Sequence, residues 1–153
     1  MSRKSVSASL EAKVLGALRA LVPGIQAVGL LEVADEGCPK DEGLTSVQVR
    51  VYDFEQPHEG TVAFTVAVEV RLNVEQAESA SGGAFFAAHE AIALWLERTA
   101  LGDGCAELET DEAFVDGFRR TGDDKGFDTA GGTWYAVWNM ALSGRIKHEK
   151  TEE

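Results

Sequence analysis

The sequence predicts a single α+β domain over residues 1–153, with a mostly antiparallel four-stranded sheet and two amphipathic helices packed on one of its faces. Three observations lead to this prediction. Two segments place their apolar residues at helical spacing, and four segments alternate apolar and polar residues as half-buried strands do. Consecutive strands are separated by short turn-forming segments, which favours antiparallel pairing. Two helices suffice to cover the apolar face of one sheet, giving two layers.

The first predicted element is a helix that starts near residue 10 and ends before Pro23-Gly24. Its apolar residues follow i, i+4, i+7, i+8, i+11 spacing: Leu10, Val14, Ala17, Leu18 and Leu21. Ser7 or Ser9 is expected to cap its start, because a serine side chain can accept a hydrogen bond from a free N–H of the first turn. Residues 32–42 contain five acidic residues and one lysine, and Gly37, Pro39 and Gly43 interrupt any regular element, which predicts an acidic surface loop.

Two strands follow, joined by a turn at residues 56–60. The first covers about residues 47–52. In the second, residues 61–74, the even positions are apolar without exception: Val62, Phe64, Val66, Val68, Val70, Leu72 and Val74. A strand of this length spans about 45 Å at 3.3 Å per residue. Because that exceeds the usual strand, part of it is expected to contact another subunit.

A second helix is predicted after Ser81-Gly82-Gly83, with a broad apolar band that we expect to be covered on more than one side. The band contains Phe85, Phe86, Ala88, His89, Ile92, Ala93, Leu94, Leu96 and Thr99. An acidic stretch at 103–116 leads into a short strand near Phe114–Arg120, a turn at 121–126 and a last strand from Trp134 to Ile146. We expect the termini, residues 1–7 and 147–153, to be flexible.

The negative net charge of the chain excludes two classes of function. The chain has 26 acidic and 14 basic residues and a formal net charge of −12. Tight binding to nucleic acid or an anionic membrane requires the opposite sign. No secretory leader or uncharged 18-residue stretch is present, so a cytoplasmic protein that does not enter membranes is expected. Cys38 and Cys105 are predicted to be free thiols.

No catalytic, metal-binding or cofactor-binding site is predicted. His89-Glu90 begins like the zinc-protease helix, but Ala93 occupies the position that the second histidine requires, so a partly buried core histidine is the better interpretation. Adjacent carboxylates fall in glycine-rich loops where water keeps them ionised. We therefore predict that the protein is not an enzyme. A small binding or enzyme domain, with a ligand between the second helix and the sheet near Trp134 and Trp138, remains an alternative.

The order of the predicted helices and strands resembles that of a known protein family. A leading helix ended by Pro23-Gly24, two long strands, a helix reading Ala87-Ala88-His89-Glu90-Ala91-Ile92-Ala93-Leu94-Trp95-Leu96 and a hairpin ending in Trp134-Tyr135-Ala136-Val137-Trp138 follow one another. Over roughly residues 8–146 this order resembles the tail terminator (tail completion) proteins of long-tailed bacteriophages. The acidic segments 32–42 and 103–116 are longer than a minimal member needs.

The resemblance implies a structural virion protein that assembles in the host cytoplasm and resides in the tail. Such proteins form a ring, commonly a hexamer, that caps the tail tube and joins the neck of the head. The implied partners are further copies of the chain, the major tail tube protein and a neck or head-completion protein, while DNA passes through without tight binding. Another head–tail connector or a minor tail protein remains an alternative.

Five residues on the polar strand faces are predicted to contact neighbouring subunits: Arg50, Glu69, Arg71, Tyr135 and Arg145. The arginines can pair with acidic loops of an adjacent copy. Ion pairs within one chain are the alternative for each of them.

Overall fold

The computed structural model describes residues 5–22, 26–29, 46–75, 83–100, 105, 107–129 and 132–147. Helix α1 spans Val6–Leu21. Strand β1 spans Gln26–Gly29, β2 spans Ser46–Glu55 and β3 spans Ala63–Glu75. Helix α2 spans Gly83–Ala100, and strands β4 and β5 span Ala113–Asp128 and Thr133–Ile146. The predicted acidic loop at 32–42 and Cys38 lie outside the described residues.

The strands form one five-stranded sheet in the order β1-β2-β3-β5-β4. β1 pairs with β2 in parallel, and the other three pairs are antiparallel. The prediction of a mostly antiparallel four-stranded sheet was therefore wrong: the sheet is mixed and has a fifth strand. β1 has only four residues, which is too short for alternation to distinguish a strand from a loop.

The extent of β4 also differs from the prediction. A turn was expected at residues 121–126, but β4 continues to Asp128 and pairs with β5 as far as Thr133. The β4–β5 pairing has two irregularities, one between Val115 and Gly117 and one between Arg120 and Gly122. They allow this glycine- and aspartate-rich segment to stay paired with β5. The turn lies later, where Gly132 has a φ of 64° and donates its N–H to the Asp128 carbonyl at 2.8 Å.

Helix α1 begins earlier than predicted. Ser5 caps it, with its hydroxyl oxygen accepting a hydrogen bond from the Ala8 N–H at 3.0 Å. Ser7 lies within the helix, although flexibility was expected there. Ser9 is buried and its hydroxyl donates to the Val6 carbonyl at 2.9 Å. Neither of the serines proposed from the sequence is therefore the cap.

The core lies between the helices and one face of the sheet. The predicted alternation in β3 is confirmed, because every even residue from Phe64 to Val74 is at most 3% exposed. Even-numbered residues of β5 from Ala136 to Leu142 lie on the same face. From α2 the core receives Phe85, Ala88, Ile92, Trp95, Leu96 and Thr99. The opposite face of the sheet is left uncovered by either helix.

Candidate assembly surface

The face of the sheet that neither helix covers, here called the open face, carries the residues predicted to meet other subunits. It consists of the even-numbered residues of β2 as far as Tyr52 and the odd-numbered residues of β3 and β5, together with the β4 residues paired with that side of β5. The alternation of side chains in the strands fixes this assignment once the core face is known.

Three of the five predicted residues form one charged cluster. Glu69 pairs with Arg50 across the β2–β3 ladder, and its Oε1 lies 3.0 Å from Arg50 Nη2. Its Oε2 lies 3.5 Å from Arg71 Nη2. The Arg50 guanidinium also lies over the Tyr52 ring, 4.0 Å from its centre, as cation–π contacts require. The Glu69 side chain is only 17% exposed, whereas the two arginine side chains are 46% and 42% exposed. Both cations therefore remain accessible to an external acceptor.

The other two predicted residues lie on the same face but at separate places. Tyr135 shares the wall of a depression of about 570 Å³ with Arg71, and its hydroxyl donates to Asp124 Oδ2 at 3.5 Å. Arg145 is ten residues farther along β5, about 33 Å away at 3.3 Å per residue. Its Nε lies 3.3 Å from Asp116 Oδ2. The three arginines thus have partners within the chain, which is the alternative stated from the sequence; contact with another subunit stays a prediction.

A small apolar patch lies between the charged groups of the open face. Ala67 pairs with Ala141 across β3 and β5, and Val137, which is 8% exposed, lies on the same side of β5. Arg119 of β4 pairs with Ala141. Among the described residues Arg119 has no carboxylate within ion-pair distance, so it provides a third accessible cation. Sequence reasoning missed Arg119, because only the β4–β5 register with its irregularities assigns it to this face.

The outer surface of α2 is the second unusual surface. Phe86 and Leu94 are 50% and 54% exposed, although both were expected to be covered as part of a broad apolar band. Glu90 and Glu97 lie on the same side of the helix and are also exposed. Among the described residues, packing therefore covers the band except for Phe86 and Leu94, each of which is about half exposed.

The alternative ligand site corresponds to a cavity between α2 and the sheet. It measures about 220 Å³ and is lined by Ala93, Leu94, Leu96, Glu97, Ala100, Arg120, Trp138 and Met140. That volume is below the range of about 300–1,000 Å³ typical of small-molecule pockets. Trp134 does not line it. The indole of Trp134 packs against Phe85 and Phe127 instead, and its Nε1 has no hydrogen-bond partner in the described part of the chain.

The environment of His89 agrees with a partly buried core histidine. Its ring centre is 5.0 Å from that of Trp138 and 5.7 Å from that of Phe85. Burial, with a smaller contribution from the Lys125 charge, lowers its pKa below the ordinary value. Within the described ranges, no three His, Cys, Asp or Glu side chains are grouped closely enough to hold a metal ion. Neither α1 nor α2 is long and apolar enough to cross a membrane.

Comparisons with known proteins identify a shared fold. No protein family matches the sequence, and no curated protein matches it. Among solved structures, the chain is similar to a protein chain in the structure described as the virion of a native gene transfer agent particle. The two share 12% sequence identity with a TM-score of 0.54, and the match covers 94% of this chain and 96% of the other. At this identity the likeness concerns the fold.

Proposed function

We propose that this protein is a structural component of a phage-like virion, and more specifically the subunit of a ring that caps the tail tube and joins it to the neck. The observation that carries the proposal is the end-to-end fold similarity to a chain of a gene transfer agent virion. That similarity covers 94% of this chain and 96% of the other, so it is not confined to a shared fragment. The order of elements in the sequence supports the same class independently.

The open face provides a surface suited to repeated subunit contacts. It is part of a sheet in which β3 and β5 pair over 13 positions, and it bears accessible arginines around a small apolar patch. The proposed partners are further copies of the chain, commonly six, with the tail tube protein on one side of the ring and a neck protein on the other. Arg50, Glu69, Arg71, Tyr135 and Arg145 are the proposed contact residues.

The net charge suits a passage for DNA. A ring subunit of charge −12 repels phosphate at short range, and salt screens this repulsion beyond about 8–10 Å. DNA would therefore pass through the ring without being held.

Deletion of the gene, followed by electron microscopy of the particles, tests the proposal. Without the ring, tails should be unattached to heads and variable in length, and the intact gene supplied in trans should restore normal particles. Mass spectrometry of purified wild-type particles should detect the chain. Normal particles in the deletion strain, or absence of the chain from wild-type particles, would refute a role in the virion.

Further observations distinguish the ring subunit from two alternative functions, another connector or minor tail protein and a ligand-binding domain. Neighbouring genes for a major tail protein and a tape-measure protein favour the terminator over another connector or minor tail protein. The cavity between α2 and the sheet is where a ligand-binding domain would hold its ligand. A thermal-shift screen of metals and metabolites tests it, because a ligand specific to the native state raises stability by RT ln(1 + [L]/Kd). No shift at saturating concentrations would leave the structural role as the explanation.

A further inference from the structure

We propose that the outer surface of α2 in one copy packs on the open face of the next copy, so that subunits join head to tail. This contact rests on the proposed function and specifies how the ring is made. The two surfaces are the α2 ridge, formed by Phe86, Glu90, Leu94 and Glu97, and the open-face patch, formed by Ala67, Val137, Ala141, Arg50, Arg71 and Arg119.

The α2 ridge has the composition of a binding surface. Its four residues follow i, i+4, i+8, i+11 spacing, which places them along one side of the helix. That side borders the sheet of its own chain, because the Phe86 ring centre lies 5.8 Å from that of Trp134, and Leu94 and Glu97 line the cavity between α2 and the sheet. Two large apolar side chains, Phe86 and Leu94, are each about half exposed. Carboxylates at positions 90 and 97 flank them. Apolar groups rimmed by charged ones are typical of a protein–protein contact.

The open-face patch complements this ridge in shape and in charge. At its centre Ala67 lies opposite Ala141, and these small side chains leave room for bulky ones from outside. Arg71 lies opposite Val137 on one side of this centre, and Arg119 lies opposite Ala141 on the other. The three arginines of the patch outnumber the two carboxylates beside them, Glu69 and Asp124, the second of which pairs with Val137. A ridge with two carboxylates therefore meets an excess of positive charge.

The same charges disfavour the symmetric arrangements. If two α2 ridges met, Glu90 and Glu97 would oppose their own copies, and if two open faces met, both would bring an excess of arginines over the carboxylates Glu69 and Asp124. Like charges placed together across an interface are strongly unfavourable. The α2 layer and the open face lie on opposite sides of the two-layer domain. When α2 of one copy contacts the open face of the next, the pair of copies still has one free α2 surface and one free open face. Such a contact repeats, and it closes into a ring when the rotation per subunit allows.

Charge reversal on each surface tests the contact. The helix variant carries Glu90→Arg and Glu97→Arg, and the sheet variant carries Arg71→Glu and Arg119→Glu. Each is added to unattached tails from the deletion strain, and electron microscopy measures the fraction of tube ends that bear a ring. Each variant alone should lower that fraction at least about tenfold, because like charges meet at every contact. An equimolar mixture should restore it, since opposite charges meet at every contact of an alternating ring.

Matched controls separate this effect from general changes in charge or folding. Glu59→Arg with Glu107→Arg makes the same change in net charge as the helix variant on exposed residues outside both surfaces, and should leave the ring fraction within about twofold of wild type. Thermal unfolding reports whether each variant folds. If the sheet variant does not, Arg119→Glu alone replaces it, with Lys13→Glu on α1 as its control.

The outcomes distinguish the contact from the function. If wild-type protein forms rings but either variant also does, or if the mixture fails to restore them, the head-to-tail contact is refuted and the virion role is retained. If only the sheet variant is impaired, the open face meets something other than α2, which also refutes the contact. If wild-type protein binds no tube end and is absent from particles, both proposals fail.

Discussion

Gly144→Ala should destabilise the fold strongly, because β5 has no room for a side chain at this position. A Cβ there would collide with the main-chain carbonyl oxygen of Phe114 on β4 and lie 3.1 Å from two ring carbons of Phe64 on β3. The carbonyl belongs to a neighbouring strand and the ring is 1% exposed, so neither can move without disturbing the core. Overpacking of this kind costs about 2–3 kcal/mol. The melting temperature should fall by roughly 5–10 °C for a domain of this size.

Gly122→Ala provides the matched control for that prediction. Gly122 is in β4, and a Cβ built on it meets nothing within 4 Å. Replacing a strand glycine that has space for a methyl group should raise stability by about 0.5–1 kcal/mol, because the unfolded chain loses conformational freedom. Thermal unfolding followed by circular dichroism, with urea unfolding as a second measure, compares the two variants. Equal effects of both substitutions, or a Gly144→Ala variant as stable as wild type, would contradict the packing described for β5.

Three further predictions concern single side chains. Glu69→Gln should lower the free energy of unfolding by no more than about 1 kcal/mol, because both of its arginine partners are exposed, and the effect should shrink in high salt when measured by urea unfolding. Burial lowers the pKa of His89 in the folded state, so below about pH 6.5 the unfolded chain binds more protons than the folded one. The free energy of unfolding should therefore decrease as the pH falls below about 6.5. His89→Gln should remove that part of the pH dependence in urea titrations, whereas His58→Gln in the exposed turn should leave it intact. Ser5→Ala should cost about 1 kcal/mol through loss of the helix cap, and Ser7→Ala should change the melting temperature little.

The parts of the fold that the sequence predicts are those in which a long periodic pattern agrees with the final packing. β3 is the best example, because its unbroken alternation assigns every residue from Phe64 to Val74 to the correct face. β1 has four residues and no such pattern, and its parallel partner lies about twenty positions away. In β4, turn-forming residues dominate residues 121–126, and only pairing with β5 keeps them extended. In both strands, contacts distant in sequence decide the structure.

The candidate assembly surface is likewise predictable from the sequence only in part. The faces of Arg50, Glu69 and Arg71 follow from alternation, so their presence on one surface can be predicted. Their closeness depends on the β2–β3 register, which pairs Arg50 with Glu69 directly. The position of Arg119 depends on where β4 departs from regular pairing, and no local pattern in the sequence indicates those points. Alternation therefore predicts which charged residues share a face, but the strand register is needed to show which of them are in contact.

The contact proposed between copies would account for the exposed apolar residues of α2. A helix that packs only on its own sheet needs a single apolar stripe, which Phe85, Ile92 and Leu96 already provide. Phe86 and Leu94 add apolar surface beside that stripe, and about half of each side chain is exposed to water. Burying them against Ala67 and Ala141 of a second copy would remove that surface from water at about 25 cal/mol per Å² of apolar area. The same contact would bring Glu90 and Glu97 to accessible arginines, so the breadth of the band predicted from the sequence and the charge of the open face have one common explanation.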